Sequence, residues 1–189
     1  MDYRILSNNA YKIEEHSVVP IRKKDIFVIK KWRNEQMDIL RQNKPLTDQE
    51  QVTYYENIVT PYFSQTYPKL ILFSYLNRDR CIGYGGLTNI EWLSKRAEIS
   101  FLLDTKRITN PALYEKELTC FIAFMKRVAF DDLDFNRLFT ETYAFRHEHI
   151  SCLEKNGFQF EGRMKQHVMI KGVFVDSLLH GFLKEYQHA

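Results

Sequence analysis

Leu70-Ile71-Leu72-Phe73-Ser74-Tyr75-Leu76, the polar break Asn77-Arg78-Asp79-Arg80, the run Cys81 to Leu87 and then Ala97 to Leu103 decide the fold. The first run is apolar and of strand length. The polar break is turn material, and the second run reads as a return strand thinned by Gly83, Gly85 and Gly86. Ala97 to Leu103 completes a three-strand antiparallel meander.

Upstream, Val18-Val19-Pro20-Ile21 reads as a first strand whose Pro favours a sheet edge. Asp25 is placed to cap a helix in which Ile26, Ile29, Trp32 and Leu40 fall near helical spacing. Thr47-Asp48-Gln49-Glu50 forms a capping box opening a second helix through Tyr54, Tyr55 and Ile58, with Pro61 expected to stop it. Downstream, Pro111 starts a helix carrying the stripe Leu118, Phe121, Ile122, Met125 and Val128. A strand at Arg137 to Ala144 and a helix capped by Gly157 follow. Two last strands flank Lys171-Gly172. The order is β-α-α-β-β-β-α-β-α-β-β, so the class is α+β with a mixed sheet. One domain is expected over residues 1–189, with its ordered core from about Tyr11 to Tyr186.

Composition narrows the function. The chain has 189 residues, with 27 Lys+Arg against 24 Asp+Glu for a net charge of +3, too little and too dispersed to bind nucleic acid by charge. The run Arg22-Lys23-Lys24, with Lys30, Lys31 and Arg33, reads as a solvated helix face. No apolar run reaches membrane-span length and no leader is visible. Cys81, Cys120 and Cys152 lack ligand spacing, and His147 and His149, two apart on a helix, point to different faces. A cytoplasmic, metal-free protein that contacts neither membrane nor nucleic acid is expected.

Four segments carry a resemblance: Ile82-Gly83-Tyr84-Gly85-Gly86-Leu87, Ala97 to Asp104, Leu153-Glu154-Lys155-Asn156-Gly157-Phe158 with Glu161-Gly162, and Lys171 to Asp176. In this order they resemble the GNAT superfamily of acetyl-CoA-dependent N-acetyltransferases over almost the whole chain. The likeness is to the ribosomal-protein N-terminal and the amino-sugar-nucleotide acetyltransferase branches, and Trp32-Arg33-Asn34 favours the second. The resemblance implies a central sheet in which the strands at Ala97–Leu103 and Leu138–Tyr143 splay apart. It also implies acetyl-CoA as co-substrate, a small primary amine as acceptor, most simply an amino-sugar nucleotide, and a tendency to homodimerise.

The resemblance also implies roles. The backbone of Phe101, Leu102 and Leu103 would pair with the pantetheine arm as an added strand does. The pyrophosphate would meet the helix N-terminus near Lys106, Arg107, Thr109, Asn110 and Ala112. There the family's glycines are replaced by Thr109 and Pro111, which leaves open a binding module without catalysis. Glu98 matches a general base and has a second reading as a surface glutamate paired with Arg96. The family's proton-donating Tyr is replaced by Leu153, so His149 stands as general acid, with Tyr143, Ser151 and Cys152 as alternatives. Trp32, Arg33 and Asn34, with Arg41, Gln42 and Asn43, fall where the acceptor binds, Trp32 having a second reading as core. A protein N-terminus is the alternative acceptor.

Overall fold

A computed structural model describes residues 1–188. Its strands are β1 (Tyr11–Ile13), β2 (His16–Pro20), β3 (Ile71–Asn77), β4 (Arg80–Glu91), β5 (Arg96–Leu103), β6 (Arg137–Tyr143), β7 (Gln159–Ile170) and β8 (Val173–Leu183). The helices are α1 (Ile26–Glu35), α2 (from Asp48), α3 (Pro111–Lys126) and α4 (His147–Lys155). All eight strands form one sheet in the order β1-β2-β3-β4-β5-β6-β8-β7. Every pairing is antiparallel except β5 with β6. The fold is the mixed, splayed sheet that the sequence leads one to expect.

The helices divide between the faces. Tyr84 of β4 points toward α1, where its hydroxyl meets Arg33. Phe101 of β5, paired opposite the neighbouring Gly85, points the other way and packs on Phe121 of α3 with ring centroids 4.9 Å apart. Close strand approach explains the glycines. A Cβ on Gly86 would lie 1.9 Å from the carbonyl oxygen of Ile71, and one on Gly85 2.1 Å from that of Ser100. No side chain fits between these strands.

Four local expectations need correction. A three-residue strand, β1, precedes the expected first strand and pairs only with His16–Val18, so Pro20 lies beyond its reach. Asp25 makes no cap: Arg22 takes both its oxygens, at 2.6 and 3.0 Å. A two-pronged ion pair to a guanidinium outcompetes a cap. Pro61 does not end α2. The capping box at Thr47 and Glu50 forms as expected, and α2 runs on through a π-helical stretch, Tyr55–Val59, into a last turn, Thr60–Tyr62. The wider π turn relieves the clash a proline makes with the carbonyl four residues back. Finally, the core begins before Tyr11. Tyr3 is fully buried, stacks on Phe63 at 4.5 Å, and accepts from the Leu72 amide at 2.8 Å.

Candidate active site

β5 and β6 pair only at Arg96–Arg137, Ala97–Leu138 and Glu98–Phe139, and then part. The ladder to β4 continues, and the amide of Asp104 bonds the carbonyl of Ile82. By alternation, the backbones of Ser100 and Leu102 serve β4, while those of Phe101 and Leu103 face the gap left by β6. Two cavities of about 200 and 220 Å³ open along this gap. The first is lined by Glu98, Ser100, Arg41, Glu141 and Tyr143. The second is lined by Leu102, Leu103, Ile108 and Tyr114. Phe101, Arg146 and His149 border both.

Glu98 is 7% exposed and turned into the first cavity, not toward Arg96, which lies over the Phe139 ring. Asn89, in β4 at the irregularity between Thr88 and Glu91 and with a positive φ of 47°, donates to Glu98 Oε2 at 2.5 Å. Arg41 Nη2 lies 3.1 Å from Glu98 Oε1 and 2.8 Å from Glu141 Oε2. Two carboxylates therefore share one guanidinium at the mouth of the splay. His167 of β7 stands 3.7 Å from the other oxygen of Glu141.

His149, on α4, is buried, and its Nδ1 lies 2.7 Å from the Tyr114 hydroxyl and 3.4 Å from Arg146 Nη2. Arg146 only donates, so Nδ1 is an acceptor and the imidazole proton sits on Nε2. Burial, then Arg146 and His180, hold its pKa well below the ordinary histidine value. Such a site disfavours the imidazolium that a general acid requires. The expectation for His149 is corrected to a neutral hydrogen-bond donor. Tyr143 lines the first cavity and keeps its proton, its pKa raised by burial. Ser151 and Cys152 line neither cavity.

The loop before α3 explains its missing glycines. No residue from Asp104 to Ala112 has a positive φ, so the turn needs none. Arg107 anchors it by pairing both oxygens of the fully buried Glu117. Asn110 Oδ1 caps α3 through the Leu113 amide at 3.1 Å, and the Thr109 hydroxyl donates to the Lys106 carbonyl. Arg107 and Asn110 are thus used in building the loop. The Ala112 amide, in the first turn of α3, and the exposed Lys106 ammonium have no partner among the described residues.

The segment expected to bind the acceptor mostly builds its frame. Trp32 is core, 3% exposed, because its side chain falls on the buried stripe of α1. Asn34 clamps the following loop, bonding Leu46 O and N at 2.9 and 2.8 Å and accepting from Gln42 at 2.9 Å. Arg33 holds Gln42 and Tyr84 while lining the first cavity. Arg41 was placed by sequence in the acceptor segment, but not beside Glu98; Asn89, Glu141 and Tyr114 were not singled out by sequence. Of these only Tyr114 carried a signal, standing four residues before Leu118 on the α3 stripe.

A splayed β5–β6 pair that leaves the Phe101 backbone and the Leu103 amide facing the gap, with a buried carboxylate at its fork, defines an acyltransferase cleft. The sequence matches the acetyltransferase (GNAT) domain over residues 18–179. The chain belongs to this family and is an acetyl-CoA-dependent N-acetyltransferase. Among curated proteins it has no match. Its fold is similar to that of a spermidine N-acetyltransferase from Vibrio cholerae in complex with CoA and spermine, with TM-score 0.81, 14% identity, and 94% of this chain and 100% of that chain covered. A dodecameric structure of spermidine N-acetyltransferase from Vibrio cholerae gives TM-score 0.76 at 14% identity over 93% and 97% of the two chains. A probable acetyltransferase gives TM-score 0.74 at 18% identity over 94% and 98%. No helix among the described residues is long and apolar enough to cross a membrane.

Proposed function

We propose that the protein transfers acetyl from acetyl-CoA to a small, positively charged primary amine. The observation that carries this reading is the placement of Glu98 and Glu141 on one nitrogen at the fork of the splay. The backbone of Phe101 and the amide of Leu103, whose carbonyl is held by Gln36, pair with the pantetheine arm, Leu102 supplies only its side chain to that wall, and the Ala112 amide with Lys106 receives the pyrophosphate. Acetyl-CoA, when bound, supplies the thioester carbon that the amine attacks. Glu98 takes one proton from the bound ammonium to free the nitrogen lone pair for attack, and the second proton, shed as the C–N bond forms, replaces the one that Tyr143 gives up. Tyr143 gives a proton to the sulfur as the C–S bond breaks, and Nε2 of His149 donates a hydrogen bond in the cleft. Most of the rate comes from holding the two substrates in register.

The amino-sugar nucleotide expected from sequence would bring a diphosphate beside two carboxylates. Of the three arginines lining the cavity, Arg33 holds Gln42 and Tyr84, Arg41 the two carboxylates, and Arg146 lies against the Tyr114 hydroxyl and His149. This charge balance favours a cationic amine, the class to which the spermine bound in the Vibrio cholerae spermidine N-acetyltransferase belongs. A protein N-terminus is the remaining alternative. For the expected homodimer, exposed Met169, Val173 and Phe174 at the β7–β8 tip supply an apolar patch.

CoA release measured with spermidine, an amino-sugar nucleotide and a short peptide tests the assignment. Spermidine should be the best acceptor by kcat/KM. Preference for the sugar nucleotide or the peptide would overturn it.

A further inference from the structure

We propose that Arg41 occupies the acceptor's place in the free enzyme, its Nη2 standing where the ammonium nitrogen of the acceptor binds. The acceptor then enters by displacing the guanidinium. This inference rests on the cationic-acceptor reading above and deepens it.

The geometry is that of a surrogate ligand. A single nitrogen, Nη2, touches Glu98 at 3.1 Å and Glu141 at 2.8 Å, contacts that a primary ammonium can reproduce with two of its three protons. Both carboxylates are mostly buried, with side chains 9% and 15% exposed, whereas the Arg41 side chain is 53% exposed. One guanidinium leaves the pair with a net negative charge, which draws a second cation toward the same spot.

The backbone around Arg41 is held in place. On one side, Gln36 donates to the Leu103 carbonyl at 2.8 Å and Asp38 pairs with Lys171 at 2.5 Å. On the other, Gln42 and Leu46 are tied to Asn34. Displacement is therefore a swing of one half-exposed side chain about a fixed backbone, on the fast timescale of surface rotamers. Specificity follows. A neutral or anionic amine cannot compete with a guanidinium for two carboxylates, whereas a cationic amine can. Glu98 becomes free to accept a proton only when such an acceptor arrives.

Spermidine binding to the CoA-saturated enzyme, by calorimetry, together with its KM, tests the proposal in the wild type, Arg41→Gln and Arg41→Lys. A competitor in place about nine-tenths of the time weakens apparent affinity about tenfold. Arg41→Gln should accordingly bind spermidine about tenfold more tightly and lower its KM to match, with Arg41→Lys in between. An unchanged melting shift with acetyl-CoA shows that each variant is folded. If the wild type binds spermidine and Arg41→Gln binds it equally or more weakly, Arg41 helps to hold the acceptor and the surrogate role is overturned alone. If neither binds spermidine, the cationic-acceptor reading falls with it.

Discussion

The Tyr114 hydroxyl and Nδ1 of His149 lie 2.7 Å apart, joining α3 to α4 at the border between the two cavities. The bond fixes the imidazole tautomer and turns Nε2–H away from Tyr114. It also makes His149 a stability determinant. The unfolded chain protonates His149 near 6.5, while the folded chain resists protonation until well below that. Between these values the unfolded state holds more protons, so stability falls as pH drops below about 6.5. Denaturant melts from pH 7.5 to 4.5 should show a shallower decline for His149→Gln than for the wild type. Parallel declines would contradict a neutral, buried His149.

Arg107 and the fully buried Glu117 anchor the loop that leads into α3. His16 stands 3.8 Å from the same carboxylate. Removing one partner of a buried ion pair costs roughly 3–5 kcal/mol. For a chain of this size, Glu117→Ala should lower Tm by roughly 10 °C. It should also weaken acetyl-CoA binding more than acceptor binding, because the loop it anchors precedes α3. Equal effects on both ligands would separate the pair from the pyrophosphate loop.

Asn34 touches neither cavity, yet its bonds to Leu46 and Gln42 set where the loop carries Arg41. Asn34→Ala should cost about 1–3 kcal/mol, the penalty of unpaired polar groups. Its kinetic effect should fall on the acceptor KM rather than the acetyl-CoA KM. Steady-state kinetics with each substrate varied in turn checks this split.

Most of the fold was legible because it rests on local signals. The meander from Leu70 to Leu103 shows as apolar runs and a polar turn, α3 as a 3–4 stripe, and α2 as a capping box. The misreadings arose where tertiary contacts overrode local preference, as when Arg22 took the carboxylate of Asp25 and Tyr3 found Phe63. β1 is three residues long, too short to show a period. The candidate site was legible only in part. Glu98 could be placed by its motif, but the groups around it come from distant segments. Arg41 and Glu98 are 57 residues apart, and Arg41 and Glu141 are 100 apart. No spacing rule joins such positions, and only the splay of β5 from β6 brings them together. The missing glycines misled for a different reason. Their absence was visible, but the negative φ angles that make them unnecessary were not.

The most direct test of the account compares kcat/KM for spermidine across pH in the wild type and in Glu98→Gln, at saturating acetyl-CoA. General bases contribute on the order of 10²–10⁴-fold. A loss in that range, with the melting shift by acetyl-CoA preserved, is the predicted result. Unchanged transfer by Glu98→Gln across the pH range would contradict the assignment of the base and, with it, the proposed chemistry of the cleft.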